Sequence, residues 1–198
     1  MPIKPTPQKR TDGFALLMTV VVVGVVIAIG LTVLDLSVKQ VRLSTNAKDS
    51  EIAFHAANGG IECAQYWRRA SSSQMERGQT IAPRCCGSAV GTNTVTPITS
   101  GVTGNGAVYQ YRYEFTWGSP DVRCTQITTL VASSTIQGSG LTIANTTLVN
   151  TLPGYPDDQN KTCNPGEQCT IVSVRGYNRA CNNISSFGTV QREVLLQF

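Results

Sequence analysis

The residues of this sequence with the most scope for chemistry are its seven cysteines: Cys63, Cys85, Cys86, Cys124, Cys163, Cys169 and Cys181. Metal ligation and disulfide formation compete for them. Structural zinc sites use tight Cys-x-x-Cys pairs, often with histidine. No such pair occurs, and the only histidine, His55, lies in a helical stretch far from the cysteine-rich end. Disulfides in an oxidising compartment are therefore the expected use, with no metal and no cofactor. Cys163 and Cys169 enclose Asn164-Pro-Gly-Glu-Gln, whose Pro-Gly favours a turn and makes a local bridge feasible. Cys124 opens one predicted strand and Cys181 follows another, so they could tie a sheet. Cys63 could reach either Cys85 or Cys86, which leaves one thiol of that pair over.

Catalysis would need a base near a nucleophile, or paired carboxylates, and the sequence supplies few candidates. His55 sits beside an apolar helix stripe and reads as a surface or packing residue. Asp157-Asp158 with Asn160 offers oxygen ligands, but the spacing matches no EF-hand loop and reads as a turn after Pro156. The sequons at Asn145, Asn160 and Asn183 carry little weight in so Ser/Thr/Asn-rich a chain. No phosphate-binding glycine loop occurs. A net charge of +4 with 14% charged residues and no Lys/Arg cluster argues against nucleic-acid binding. The expectation is a protein that is not an enzyme.

The elements that position these residues begin with a membrane segment. From Phe14 to Leu34 about 21 residues run without a charge, enough at helical rise to cross a bilayer core of about 30 Å. In lipid only a helix satisfies every backbone group of one isolated segment. Lys4, Lys9 and Arg10, offset by Asp12, precede the run. The positive-inside rule keeps that end in the cytoplasm and places the rest outside, where disulfides form. A cleaved secretory signal would need a shorter apolar core and a small-x-small site after it; here the chain continues past Leu34 as helix. A plain signal anchor shares the length and topology and differs in lacking processing at its front.

From Asp35 to Arg69 the pattern is helical and free of proline. Phe54, Ala57, Ile61 and Ala64 form one apolar stripe, with Ile52, Ala56, Cys63 and Trp67 on a neighbouring row. Gly59-Gly60 marks a bend or a place where another backbone comes close. Ser71-Ser-Ser and Gly87–Gly106 read as loop. Tyr109, Tyr111, Tyr113, Phe115 and Trp117 then alternate with polar residues, the strongest strand signal in the chain and the predicted buried face of a sheet. Further strands are predicted at Thr125–Ala132, Leu141–Val149, Thr170–Arg175 and Val190–Phe198. On the last, Val190, Val194, Leu196 and Phe198 share a face on which Arg192 is the exception. The expected fold class is α+β: one long N-terminal helix whose outer half packs on an antiparallel sheet. The expected organisation is a leader at 1–13, a membrane helix at 14–34, its amphipathic continuation at 35–70 and a disulfide-bearing β-rich domain at 71–198.

The junction Thr11-Asp12-Gly13-Phe14, followed by Ala-Leu-Leu-Met, resembles the processing site of type IV prepilins. The resemblance implies a cut by a prepilin peptidase between Gly13 and Phe14 and methylation of Phe14. Most members of that family carry Glu at the fifth mature position, where this chain has Met18. Its loss resembles the PilX-type and GspK-type minor pilins and pseudopilins. Ser50-Glu-Ile-Ala-Phe-His-Ala-Ala-Asn-Gly-Gly-Ile-Glu-Cys-Ala64 is similar to the Ala-Phe-x-Ala-Ala-Glu-Ala-Gly segment of PilX-type proteins, with Asn58 in place of Glu. Ile171–Asn178 and Val190–Leu196 resemble the closing strands of such subunits. The implied function is a minor, initiating or tip subunit acting in pilus assembly. Its implied partners are other pilin subunits through the N-terminal helix, the prepilin peptidase, the inner-membrane assembly machinery and membrane lipid. The alternative is a membrane-anchored extracytoplasmic adhesin or binding domain that never enters a filament.

Overall fold

The computed structural model describes residues 12–90, 92–119, 122–152, 154–156 and 158–198. Lys4, Lys9, Arg10 and the rest of the leader up to Thr11 lie outside the described residues, as does Asp157. The chain divides into two units, Met1–Asn46 and Ala47–Phe198. The described part of the first unit is helix alone. It belongs to α1, which runs unbroken from Asp12 to Ala70. The α+β layout is present: a long apolar N-terminal helix and an antiparallel sheet.

In the second unit α1 is followed by α2 (Ser72–Glu76) and the two-residue strands β1 (Arg84–Cys85) and β2 (Ser88–Ala89). Next come β3 (Thr92–Pro97), β4 (Val102–Gly104), β5 (Gly106–Trp117), β6 (Arg123–Ser134) and β7 (Leu141–Ile143). The chain closes with α3 (Asn145–Thr151), β8 (Lys161–Cys163), β9 (Gln168–Tyr177) and β10 (Gln191–Gln197). The main sheet has the order β10-β9-β6-β5-β3, every neighbour antiparallel. A small sheet, β4-β7-β8, is also antiparallel.

Strand alternation gives the main sheet two faces. On one, Tyr111, Tyr113, Phe115, Ile127, Val131, Val172 and Val174 join Ala57 and Ala64 of α1 in one apolar cluster. The aromatic row is thus core. On the other, Val108, Leu130, Ala132 and Ile171 pack with Leu141, Ile143, Leu148 and Leu152 from β7, α3 and the residue after it. The sheet is therefore covered on both faces at that end.

Helix α1 meets the sheet through small residues. Ala53, Ala56, Ala57, Gly60 and Ala64 are buried, whereas Phe54, expected on the buried stripe, is exposed. Volume explains this correction. A side chain added at Gly176 of β9 would collide with backbone atoms of Ala53, Ala56 and Ala57, and one at Gly60 with methyl groups of Thr125 and Val174. Helix and sheet approach so closely that only small residues fit between them, and the large apolar Phe54 is turned out. The glycine in the helix costs about 1 kcal/mol of propensity relative to alanine, and the contact requires it. Thr125 Oγ1 bridges the interface, donating to the Ala56 carbonyl at 2.9 Å and accepting from Trp117 Nε1 at 3.0 Å. Arg192, the exception on its strand face, lies toward α1 and donates to Ser50 Oγ from Nε at 2.8 Å.

Three other expectations are corrected. Ser72–Glu76 is helix, held by the Arg68 guanidinium, which reaches Glu76 at 3.2 Å and Thr170 Oγ1 at 2.8 Å. The expected loop at Gly87–Gly106 contains β2, β3 and β4. Threonine is a good strand former when a partner edge is free, and β3 takes the open edge of β5. The strand expected at Leu141–Val149 ends at Ile143 and gives way to α3. Asn145 ends it: its backbone N–H goes to Asn160 Oδ1, and its side-chain amide to the carbonyls of Pro156 and Gln159. Leu148 and Leu152, four apart, then bury one helical face.

Candidate functional site

The first candidate is the apolar half of α1. Every large apolar side chain from Phe14 to Leu43 is half exposed or more. Gly13, Gly24 and Gly30 have open space around them. Thr19, Thr32 and Ser37 return their hydroxyls to the carbonyls of Leu16, Ile29 and Val33 at 2.7–2.8 Å, so they leave no polar group unsatisfied in an apolar medium. The first charge after the run, Asp35, pairs with Lys39 one turn on at 2.7 Å. Length and composition suffice to span a membrane. An apolar surface of this extent is of the kind that marks a membrane or protein interaction.

The cysteines form a second feature. Cys63 is bonded to Cys85, Cys124 to Cys181 and Cys163 to Cys169, with Cα separations of 5.7, 4.7 and 6.0 Å. The remaining thiol, Cys86, is exposed. Local backbone geometry makes the choice between the adjacent pair. Cys86 and Gly87 have φ of 51° and 81° and form the two-residue turn between β1 and β2, the left-handed pairing that suits a tight hairpin. The turn points Cys86 outward, while Cys85 in the strand faces α1. Partial burial and the Glu62 carboxylate push the Cys86 thiol above its ordinary value, which makes it a poorer nucleophile at neutral pH. The carboxylate of Glu114 lies beside Cys124 and Cys181, but both sulfurs are consumed by their own bond.

His55 stands on the exposed side of α1 with Nε2 3.6 Å from Glu51, one turn earlier. Of the sequon residues, Asn145 and Asn160 are engaged with each other and with the adjoining backbone.

A third feature was not visible in the sequence. The face of the main sheet turned away from α1 carries a groove of about 330 Å³, lined by Thr94, Arg112, Glu114, Gln126, Thr128 and Arg175 among others. Four strands contribute, and register brings the residues together. Arg112 stands between Thr94 of β3 and Thr128 of β6, and Glu114 lies opposite Gln126, itself opposite Arg175. The groove's polar network is organised. Gln126 donates to Glu114 at 3.0 Å and accepts from the Tyr177 hydroxyl at 3.0 Å. Arg175 pairs with Glu193 at 3.4 Å, and the buried Ser173 hydroxyl also donates to Glu193, at 3.0 Å.

Comparison with models of known protein families, with curated proteins and with solved structures yields no match to this chain.

Proposed function

We propose that this chain is a type IV pilin-like structural subunit of the minor kind, acting in pilus assembly. In this reading a prepilin peptidase cuts between Gly13 and Phe14, and Phe14 becomes a methylated N-terminus. Residues 14–34 hold the subunit in the membrane with its N-terminus cytoplasmic and its disulfide-bonded domain outside. The assembly machinery then withdraws the helix into a filament among the helices of other subunits.

One observation carries the proposal. Gly13 and Phe14 stand at the front of an uncharged run whose apolar side chains are exposed along α1 (Asp12–Ala70), and Ala57 and Ala64 of that helix belong to the core of an antiparallel sheet domain. A basic stretch ending in glycine, then phenylalanine and an uncharged helical run, is the arrangement on which the resemblance to type IV prepilins rests. The pilin-like architecture is part of the same proposal.

N-terminal sequencing of the protein extracted from membranes tests it. A chain beginning at methylated Phe14 is expected. An intact leader overturns the proposal and favours a membrane-anchored binding domain, the reading to which the sheet groove lends its support; loss of the whole helix also overturns it, by leaving a domain without that anchor.

A further inference from the structure

The groove on the outer face of the main sheet has chemistry that the filament reading does not use. Its cations are unequal. Arg175 is neutralised by Glu193, which Ser173 also holds. Arg112 is exposed and has no hydrogen bond or ion pair among the described residues. Its neighbours across the two adjacent strands are Thr94 and Thr128, neutral hydroxyl groups that supply no counter-charge. A guanidinium offers a fork of parallel N–H donors suited to a carboxylate. The groove therefore presents one unpaired cation in a setting of hydroxyls, one amide and one carboxylate.

Each further property narrows the ligand. With Glu114 in the lining and Glu193 against Arg175, the local charge sums to about zero, so a polyanion such as nucleic acid would gain one contact and meet two carboxylates. The aromatic side chains of β5 face α1, so the side chains this face offers at the groove, Thr94, Arg112, Glu114, Gln126, Thr128 and Arg175, are polar. Threonine hydroxyls both donate and accept, and a side-chain amide offers a donor side and an acceptor side. Such a surface suits a ligand rich in hydroxyls that bears one carboxylate. A volume of about 330 Å³ stands at the small end of small-molecule sites, the scale of one or two sugar rings.

We infer that this groove is a binding site for an acidic saccharide of the uronate class, with Arg112 receiving the sugar carboxylate and Thr94, Thr128 and Gln126 receiving ring hydroxyls. The site is independent of the filament proposal. A subunit that starts at Phe14 could lack it, and a membrane-anchored domain could possess it.

The test is calorimetric titration of the full oxidised chain in detergent micelles with digalacturonate, and with its methyl ester, which keeps the hydroxyls and removes the charge. Saturable binding of the acid is expected. Esterification or Arg112→Gln should each weaken it at least about tenfold, the effect of losing a charge-assisted hydrogen-bonded pair. Arg112→Lys should fall between, because it keeps the charge and loses the fork. Arg84→Gln, an exposed arginine outside the groove, should bind as the wild type does. Because Arg112 is exposed and unpaired, its substitution leaves the fold intact, checked by an unchanged unfolding midpoint. No saturable binding to the wild type overturns the inference, as does indifference to esterification or to Arg112→Gln. A tetra-aspartate peptide that binds more tightly than digalacturonate at Arg112 also overturns it, by making the occupant a peptide.

Discussion

Replacing Gly176 with alanine tests the account of how helix and sheet meet. Gly176 lies in β9 under α1, and a Cβ there would overlap the Ala53 carbonyl oxygen, the Ala57 nitrogen and the Ala56 carbonyl carbon. These are main-chain atoms of a long helix, so no rotamer change can relieve the overlap. The helix must move off the sheet, which opens gaps around Ala57, Ala64 and the aromatic row packed with them. Overpacking of a core costs about 1–3 kcal/mol, and rigid opposing backbone places this case at the upper end. Against that, alanine restricts the unfolded chain and returns about 0.4–1 kcal/mol. The net loss is then about 2–2.6 kcal/mol, or roughly 4–10 °C in melting temperature for a domain of this size. Urea unfolding of the oxidised chain in micelles, followed by the fluorescence of Trp67 and Trp117, would measure it. Gly60→Ala provides the comparison. There the obstructing atoms are methyl groups of Thr125 and Val174, and alanine gains about 1 kcal/mol of helix propensity. It should therefore lose less than Gly176→Ala. A Gly176→Ala protein as stable as wild type, with an unchanged denaturant slope, would refute the close-contact argument.

Four further outcomes are expected. Removing Cys124 or Cys181 should cost about 2–5 kcal/mol, the usual range for a native bridge, and non-reducing peptide mapping should find the two linked; finding both as free thiols removes the claim. Gly13→Leu should leave the leader attached, and a chain still starting at Phe14 would show that cleavage does not follow the proposed rule. Burial pushes the Tyr111 hydroxyl up to about 12 and raises Tyr113 as well. Both are neutral acids whose folded values lie above the unfolded value near 10, so their contribution is complete below about pH 10 and is lost as pH rises beyond it. Unfolding free energies measured from pH 8 to 11.5 should fall through the upper part of that window, and Tyr111→Phe should flatten the fall; a flat wild-type profile contradicts the burial. Finally, the family to which we assign the chain by proposal uses a carboxylate at the fifth mature position to meet a neighbour's N-terminal amine, and Met18 offers none. Asp35 stands about 25 Å further along at 1.5 Å per residue. The subunit should then be a low-copy tip or initiating component, and a count from sheared filaments that finds it most abundant along the shaft sinks that placement.

Some of this was legible in the sequence because its causes are local. A run of uncharged residues from Phe14 to Leu34 makes a helix wherever it folds, since each backbone group is satisfied within the segment. The alternation from Tyr109 to Trp117 specifies a strand with one apolar face by its period alone. Cys163 and Cys169 sit close in the chain around a Pro-Gly turn, so their proximity needs no distant element. Where causes are distant, the sequence was silent or misleading. Hydrophobicity placed Phe54 on the buried stripe of α1, but Gly176, more than a hundred residues away, brings the sheet too near for anything larger than alanine. Asn145 ends a predicted strand because its amide is held by Pro156 and Gln159 across a loop. The choice of Cys85 over Cys86 depends on two left-handed residues in a hairpin that composition reads as loop. The groove around Arg112 exists only because antiparallel register places Thr94, Gln126 and Arg175 on one face. Register is set by the packing of whole strands, and no short window of sequence contains it.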